Sequence, residues 1–200
     1  GATNLLTGIA TAQADSAPMV AVTGQVPVAM IGKDAFQESD IIGMANPAVK
    51  YSYQPRTPEE IPEIVKQGFY IAETGRPGPV LLDIPKDVQQ NEGKFTFPDE
   101  VRIPGYHPWT DPDIPSIEKA IQLLLTSEKP MILAGGGVII SSAFAELQSI
   151  AEMLMIPVVT TFKGKGAFPE NHPLSLGPIG MHGHAEANKL MTEADCVLAI

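Results

Sequence analysis

The chain has 200 residues, of which 44% are hydrophobic and 18% charged, so it carries enough apolar mass to bury a globular core. Its formal net charge is −10 and no stretch concentrates Lys or Arg, which excludes the basic face that nucleic-acid binding requires. The single cysteine, Cys196, excludes an internal disulfide framework and fits a reducing compartment. Without a secretory signal or an apolar run of about eighteen residues, we expect a cytoplasmic protein with no nucleic-acid or membrane partner.

The first elements alternate between predicted helices and strands. Small and apolar residues at 4–13 predict a buried helix, and the apolar run at 19–22 predicts a fully buried strand. Asp34 is the predicted N-cap of a short helix that Glu38 reinforces, and residues 48–53 are a candidate strand.

The next helix has a clear predicted start. Thr57 supplies a capping hydroxyl, Pro58 suits the first turn, and two acids follow where the helix dipole favours them. Apolar residues then keep helical spacing up to residue 74, and residues 79–84 predict a buried strand that Pro85 closes. Continuous apolar strands between helices indicate a parallel α/β sheet that is covered on both faces.

Residues 91–115 are rich in proline and lack periodicity, so we interpret them as an interdomain linker. A second α/β unit is predicted to follow. Ser116 caps a helix that reaches residue 125, residues 131–134 and 157–160 are strands, and residues 142–154 are a helix. Residues 196–200 read as a buried strand. Because the chain lacks an initiator Met and stops inside that strand, we expect both ends to be cut.

Two loops of the second unit are candidates for ligand binding. Gly135, Gly136 and Gly137 lie between a strand and a helix, where backbone amides suit a phosphate, although a plain tight turn explains them equally well. Residues 160–166 lie at the end of a strand and contain two lysines. They either contribute to ligand binding or form a solvated surface loop. Since ligands lie beyond the carboxyl ends of parallel strands, both loops are predicted to share one ligand.

Three further segments carry candidate chemistry. The two histidines of residues 180–184 lack the partners of a metal site, so a Met–His pair facing a cofactor is preferred. Residues 34–38 either line a pocket or simply begin a helix. Arg76 and Lys86 flank one strand and either hold anionic groups or are solvated. The residues alone thus indicate an α/β protein with an anionic cofactor beyond its strand ends.

The amino-acid sequences of several segments resemble those of the large subunits of acetohydroxyacid (acetolactate) synthases, a family of thiamine-diphosphate-dependent enzymes. The segments are GATN at 1–4, TGQVP at 23–27, DAFQE at 34–38, GRPGPV at 75–80, DIPKDVQ at 83–89 and GMHG at 180–183. GRPGPV is shared with sister enzymes, whereas DAFQE together with PKD points to the synthase.

The resemblance implies a layout and a reaction. Residues 1–90 correspond to the second half of a pyrimidine-binding domain, 91–115 to a linker, and 116–200 to the first half of a Rossmann-like, FAD-binding central domain. The family decarboxylates pyruvate and joins the product to a second 2-ketoacid in branched-chain amino-acid biosynthesis, using thiamine diphosphate, Mg²⁺ and FAD. The resemblance also implies a homodimer or homotetramer for the full protein, and it leaves open whether a small regulatory subunit binds.

The resemblance also implies roles for individual residues. Phe36 and Gln37 correspond to positions beside thiamine and substrate, Lys86 to the active-site entrance, and Ser16 to a position near the same site. The implied cofactor contacts are Ser16, Gln37, Arg76, Gly135, Gly136, Thr160, Phe162, Gly180, Met181 and His182. No metal ligand is assigned.

The family's catalytic glutamate and metal-binding segment correspond to positions outside this sequence, so we expect these 200 residues alone to be inactive. The alternatives are a sister carboligase or decarboxylase, a non-catalytic module that binds FAD or another nucleotide, and a structural remnant that binds neither cofactor.

Overall fold

The apolar runs of the sequence become the strands of two separate parallel sheets. The computed structural model describes residues 1–108 and 111–200. These form two units, Gly1–Thr110 and Asp111–Ile200, each built around its own sheet. In the described part of the chain, no helix is both long and apolar enough to cross a membrane.

The first unit contains a three-stranded sheet in the order β1-β3-β2, with all strands parallel. The strands are β1 (Met19–Gln25), β2 (Tyr51–Tyr53) and β3 (Pro79–Pro85). The helices are α1 (Leu6–Asp15), α2 (Ile41–Ala45), α3 (Ile61–Glu73) and α4 (Lys86–Gln90).

The central strand β3 is buried on both faces. Leu81 packs with Ile9 of α1 on one face, whereas Val80 and Leu82 pack with Ile64 of α3 on the other. Successive side chains of a strand point to opposite faces, so a strand covered on both faces reads as a continuous apolar run. The predicted parallel sheet with helices on both faces is confirmed.

Burial of the first helix and strand was overestimated from the sequence. Strand β1 pairs only with β3, and Val22 is 58% exposed. Helix α1 buries only Ile9 and Ala12. The prediction of full burial was wrong because an apolar run does not distinguish a central strand from an edge strand.

The two predicted helix starts of the first unit have different outcomes. Thr57 caps this start as predicted, and together with Glu60 it forms a capping box, with a 3₁₀ turn leading into α3. The prediction that Asp34 caps a helix was wrong. Asp34 has a φ of 57°, outside the extended region that N-caps adopt, and Asp40 caps α2 instead by accepting from the N–H of Gly43.

The segment after α4 has no helix or strand in its described residues, 91–108. It nevertheless packs on the first unit. The ammonium of Lys66 donates to the carbonyl oxygens of Pro98 and Asp99, and the Tyr106 hydroxyl donates to the carbonyl oxygen of Thr74 at 3.0 Å.

The second unit contains a four-stranded parallel sheet in the order β6-β5-β4-β7. Its strands are β4 (Pro130–Ala134), β5 (Val158–Thr160), β6 (Ser175–Pro178) and β7 (Cys196–Ala199). Its helices are α5 (Ile114–Thr126), α6 (Gly136–Ile140), α7 (Phe144–Leu154) and α8 (Ala185–Glu193). Ile132 packs with Leu147 of α7, and Met131 packs with Ala187 of α8, so helices again cover both faces.

Three details of the second unit differ from the predictions. Helix α5 begins at Ile114 after Asp113, and the hydroxyl of Ser116, the predicted cap, donates to the Asp113 carboxylate. Strand β7 is not buried: it is an edge strand, and Val197 is 39% exposed. Strand β6 and helix α8 were not predicted, because their residues lack a strong apolar period.

Candidate functional site

A cavity opens at the carboxyl end of strand β1 in the first unit. Parallel strands end at the same edge of a sheet, and ligands of open α/β sheets bind beyond that edge. The cavity has a volume of about 650 Å³. Its lining residues come from the start of the chain, the end of β1 and the loop before α2: Gly1, Ala2, Thr3, Leu5, Val22, Thr23, Gly24, Gln25, Gln37, Ser39 and Ile41.

A buried carboxylate lies beneath this cavity. Asp83 of β3 has no exposed surface. One carboxylate oxygen accepts from the hydroxyl of Thr23 at 2.7 Å, and the other accepts from the side-chain amides of Gln25 at 3.0 Å and Gln54 at 2.9 Å. Three donors therefore compensate a charge that would otherwise be costly to bury.

The loop of residues 31–40 brings two predicted site residues to the cavity or beside it. Gln37 lines the cavity and has a φ of 65°, while Phe36 is adjacent in the chain and 90% exposed. The Glu38 carboxylate accepts from the N–H of Gly32 and, at 2.9 Å, from that of Ala35. These backbone donors lower the pKa of Glu38 from its ordinary value near 4.5.

The lowered pKa predicts a pH-dependent loop. A carboxyl group with a depressed pKa in the folded state stabilises the fold above its ordinary pKa, and this stabilisation is lost as the pH falls through the depressed value. We expect amide protection of Gly32 and Ala35, relative to their intrinsic exchange, to stay constant above the ordinary pKa of 4.5 and to fall as the pH is lowered from there through the depressed pKa of Glu38. Glu38→Gln should lower that protection already at neutral pH, and Glu186→Gln on the exposed surface should not. Protection that stays constant even at a pH low enough to protonate the Glu38 carboxyl would contradict the prediction.

Lys86 lies at the same edge of the sheet as the cavity. It is exposed and begins α4 directly after β3, although it is not among the lining residues. Its neighbour Asp87 accepts from the N–H of Val28 at 3.1 Å and so connects α4 to the loop after β1. Lys86 thus lies at the carboxyl end of β3, in the helix that Asp87 joins to the loop after β1.

Ser16 and Arg76 lie together at the opposite edge of the sheet. Ser16 precedes the amino end of β1, and Arg76 precedes that of β3. The guanidinium of Arg76 donates to the Ser16 hydroxyl at 2.8 Å and to the carbonyl oxygens of Gln13 and Ala14 at 3.3 and 3.4 Å. The pair thus caps the carboxyl end of α1, and the structure does not bring Ser16 to the cavity that Gln37 lines.

In the second unit, the predicted site residues lie at the carboxyl edge of the sheet. The N–H of Thr161 donates to the carbonyl oxygen of Ala134 at 3.0 Å, and that of Ile179 donates to the carbonyl oxygen of Thr160 at 3.0 Å. The loops after β4, β5 and β6 are therefore neighbours. Gly135 caps the short helix α6, so the predicted tight turn of three glycines is the start of a helical turn.

Two of these loops present apolar side chains to solvent. Phe162 after β5 is 88% exposed and Met181 after β6 is 92% exposed. The loop of Met181 is fixed from α8, because the side-chain amide of Asn188 accepts from the N–H of Gly180 at 2.9 Å and donates to its carbonyl oxygen at 3.0 Å. An aromatic and a thioether on a fixed edge suit a planar ring system.

The histidines of this edge have structural neighbours. The ring of His184 lies against Gly177 and its Nδ1 is 3.1 Å from the carbonyl oxygen of Leu176, while His182 is exposed. Within residues 1–108 and 111–200, no group of three or more His, Cys, Asp or Glu side chains is placed to hold a metal ion.

Comparison with known families identifies the two units. Residues 117–200 match the thiamine pyrophosphate enzyme central domain, and residues 1–44 match the thiamine pyrophosphate enzyme N-terminal TPP binding domain. Together these matches cover more than half of the chain. The chain belongs to the thiamine pyrophosphate enzymes.

Several curated relatives align over the whole of this chain. It is 56% identical to a probable acetolactate synthase large subunit of Methanocaldococcus jannaschii and 48% identical to the acetolactate synthase large subunit of Corynebacterium glutamicum. The chain spans about a third of these relatives, 34% and 32% of their lengths. A solved structure from Mycobacterium smegmatis, described as a thiamin diphosphate-dependent enzyme, matches 100% of the chain and 38% of its own with a TM-score of 0.79 and 27% identity. The predicted resemblance and fold class are confirmed.

Several polar residues that shape this thiamine pyrophosphate enzyme were not singled out from the sequence. They are Gln25, Gln54, Asp83 and Asn188. For Asp83 a signal was available, because an acid inside the apolar run PVLLDIP must find donors if the strand is central. The amides carried no such signal, since their partners come from distant parts of the chain.

Proposed function

We propose that the chain forms part of an acetolactate synthase large subunit. In this proposal the whole protein decarboxylates pyruvate and joins the product to a second 2-ketoacid. The observation that carries it is the cavity of the first unit, which Gln37 lines at the carboxyl edge of a parallel sheet. The whole-chain identity to relatives named as acetolactate synthases supports the same reaction.

The residues of this edge fit thiamine diphosphate chemistry. The bound cofactor supplies a nucleophilic carbon that attacks the ketoacid carbonyl. The Gln37 amide offers a donor and an acceptor at the cavity wall, the exposed Phe36 ring offers an apolar contact, and Lys86 is placed to attract a ketoacid carboxylate. The described residues contain no metal-ligand cluster, so we propose that Mg²⁺ is held by other parts of the whole protein.

We further propose that the carboxyl edge of the second unit binds FAD. The exposed Phe162 and Met181 suit the flavin or adenine ring. The proposed contacts from this edge are Gly135, Gly136, Thr160, Phe162, Gly180, Met181 and His182. In the first unit, Arg76 has guanidinium donors beyond those given to Ser16 and α1, and we propose it as a cofactor contact of its own unit that suits an anionic group.

The location and assembly of the whole protein are also proposals. We propose a cytoplasmic enzyme that assembles as a homodimer or homotetramer, and that a small regulatory subunit binds it. The relatives named as large subunits support a partner of this kind.

The proposal predicts a cofactor-dependent reaction. The full-length protein that contains this chain should form acetolactate from pyruvate when thiamine diphosphate, Mg²⁺ and FAD are present. Gln37→Ala should lower kcat roughly a hundredfold, because it removes the amide that orients the reacting groups at the cavity. Gln122→Ala, on the exposed surface of α5, is the matched control and should leave kcat unchanged. Flavin binding without acetolactate formation would contradict the proposal and favour a binding module.

A further inference from the structure

The loop that carries Gln37 is tied to strand β1 through the side chain of Gln25. The Nε2 of Gln25 donates to the carbonyl oxygen of Ser39 at 2.8 Å and to the Asp83 carboxylate at 3.0 Å. Its Oε1 accepts from the N–H of Val26 at 2.9 Å. Both ends of the Gln25 amide therefore bond to the protein itself.

These partners dictate the orientation of the Gln25 amide. The Ser39 carbonyl and the Asp83 carboxylate are acceptors, so only the NH₂ group fits between them, and the Val26 N–H requires the oxygen. A flipped amide would set its oxygen against two acceptors. Asp83 is fully buried and held by two other side chains, so Gln25 has a rigid support.

The hydrogen bond from Gln25 reaches the loop at Ser39, close to Gln37, whose backbone conformation is unfavourable. Gln37 lies two residues before Ser39, and its φ of 65° places it in the left-handed region, which costs energy for a side chain other than glycine. On the other side, the Glu38 carboxylate binds the N–H groups of Gly32 and Ala35. Gln37 therefore lies between two sets of hydrogen bonds, one from Gln25 to Ser39 and one from Gly32 and Ala35 to Glu38.

We infer that Gln25 is a positioning residue of the cofactor site. It connects the fixed Asp83 carboxylate to the Ser39 carbonyl and thereby holds Gln37 at the cavity wall. Gln25 lines the cavity, but its donors and acceptor are engaged by the protein, so it acts through Gln37. This inference rests on the proposed function, in which Gln37 contacts thiamine diphosphate and the ketoacid.

The test replaces Gln25 in the full-length protein with Met, which keeps the length of the side chain and removes its amide. We expect kcat for acetolactate formation to fall roughly ten- to a hundredfold while KM for pyruvate changes less than about threefold. In the cofactor-free protein, amide exchange at Gln37 and Glu38 should accelerate about tenfold. Gln122→Met on exposed α5 is the matched control and should change neither quantity.

The same samples separate local positioning from general destabilisation. Amide exchange is measured both at Leu81, in the core of β3, and at Gln37. Acceleration confined to the Gln37 loop supports the inference, and equal acceleration at both positions overturns it. Gln25→Glu is the second variant; it keeps the size of the side chain but presents oxygens to Ser39 and Asp83, so it should loosen the loop in the same way.

The outcomes also separate this inference from the proposed function. If Gln37→Ala leaves acetolactate formation intact, the proposed role of Gln37 fails, and the role of Gln25 in positioning it for catalysis falls with it. If Gln37→Ala abolishes turnover while Gln25→Met alters neither kcat nor loop exchange, the proposed function stands and the positioning role of Gln25 is overturned.

Discussion

Replacing Asp83 with alanine is expected to lower the free energy of unfolding of the first unit by about 2–4 kcal/mol, because each buried polar group left without a partner costs about 1–3 kcal/mol. The substitution leaves the Thr23 hydroxyl and the amides of Gln25 and Gln54 without their shared acceptor. Thr23 is itself buried, so water cannot readily replace the lost bond. The effect is measured by amide exchange of Leu81 in the full-length protein.

Two control variants define what the Asp83 experiment measures. Asp99→Ala removes a carboxylate from the exposed surface of the same unit and should leave exchange at Leu81 unchanged. Asp83→Asn keeps the shape but turns one acceptor into a donor. With its oxygen towards the amides of Gln25 and Gln54, its NH₂ group faces the Thr23 hydroxyl, which must then accept instead of donate. Asp83→Asn should therefore destabilise the unit less than Asp83→Ala, because all three partners keep a hydrogen bond. Equal stability of Asp83→Ala and Asp99→Ala would show that the buried network contributes nothing.

The sequence predicted the elements whose signals are local. The cap Thr57 and the acids that follow it lie within four residues. The strands predicted at 79–84 and 131–134 occupy the centres of their sheets. A cap is formed by neighbours in the chain, and a central parallel strand needs apolar residues on both faces. These features require no knowledge of the rest of the fold.

The elements that were missed or misplaced depend on distant partners. Whether an apolar run lies at the edge or in the centre of a sheet is decided by strand order, so Val22 and Val197 are exposed against expectation. The loop of residues 31–40 read as a helix start because Asp34 and Glu38 have capping spacing. Glu38 does bind backbone N–H groups, but they belong to a turn in which Asp34 is left-handed.

The candidate site likewise has parts that the sequence pattern predicts and parts that depend on distant residues. Parallel topology follows from the pattern of apolar runs, and it places Gln37 and Lys86 at one edge of the first sheet. It equally places Ser16 at the opposite edge, where its hydroxyl accepts from Arg76. The family resemblance assigned Ser16 to the same site as Gln37 and Lys86. In the structure, the parallel register of β1 and β3 places Ser16 at the amino ends of these strands and Lys86 at their carboxyl ends.

Replacing Gly164 with alanine is expected to destabilise the second unit by about 1–3 kcal/mol, the usual cost of forcing an extra carbon into a packed interior. A methyl group there would overlap the carbonyl oxygen of Ala134, and it would lie 2.8 Å from the carbonyl carbon of Ala134 and 3.0 Å from Cα of Gly135. All three are backbone atoms and cannot rotate away. Relief requires the turn of residues 161–164 to separate from the end of β4.

That separation would also disturb the proposed flavin edge, because Phe162 lies within the turn and Gly135 lies beneath it. We expect Gly164→Ala to lower flavin affinity at least about tenfold together with the thermal midpoint of the full-length protein. Gly137→Ala is the matched control. A methyl group at Gly137 approaches only a carbonyl carbon at 4.0 Å, and alanine favours the helical conformation by roughly 0.5–1 kcal/mol, so this variant should be at least as stable as the parent. If both variants bind flavin as the parent does while only Gly164→Ala is destabilised, the turn stabilises the fold and the flavin lies elsewhere.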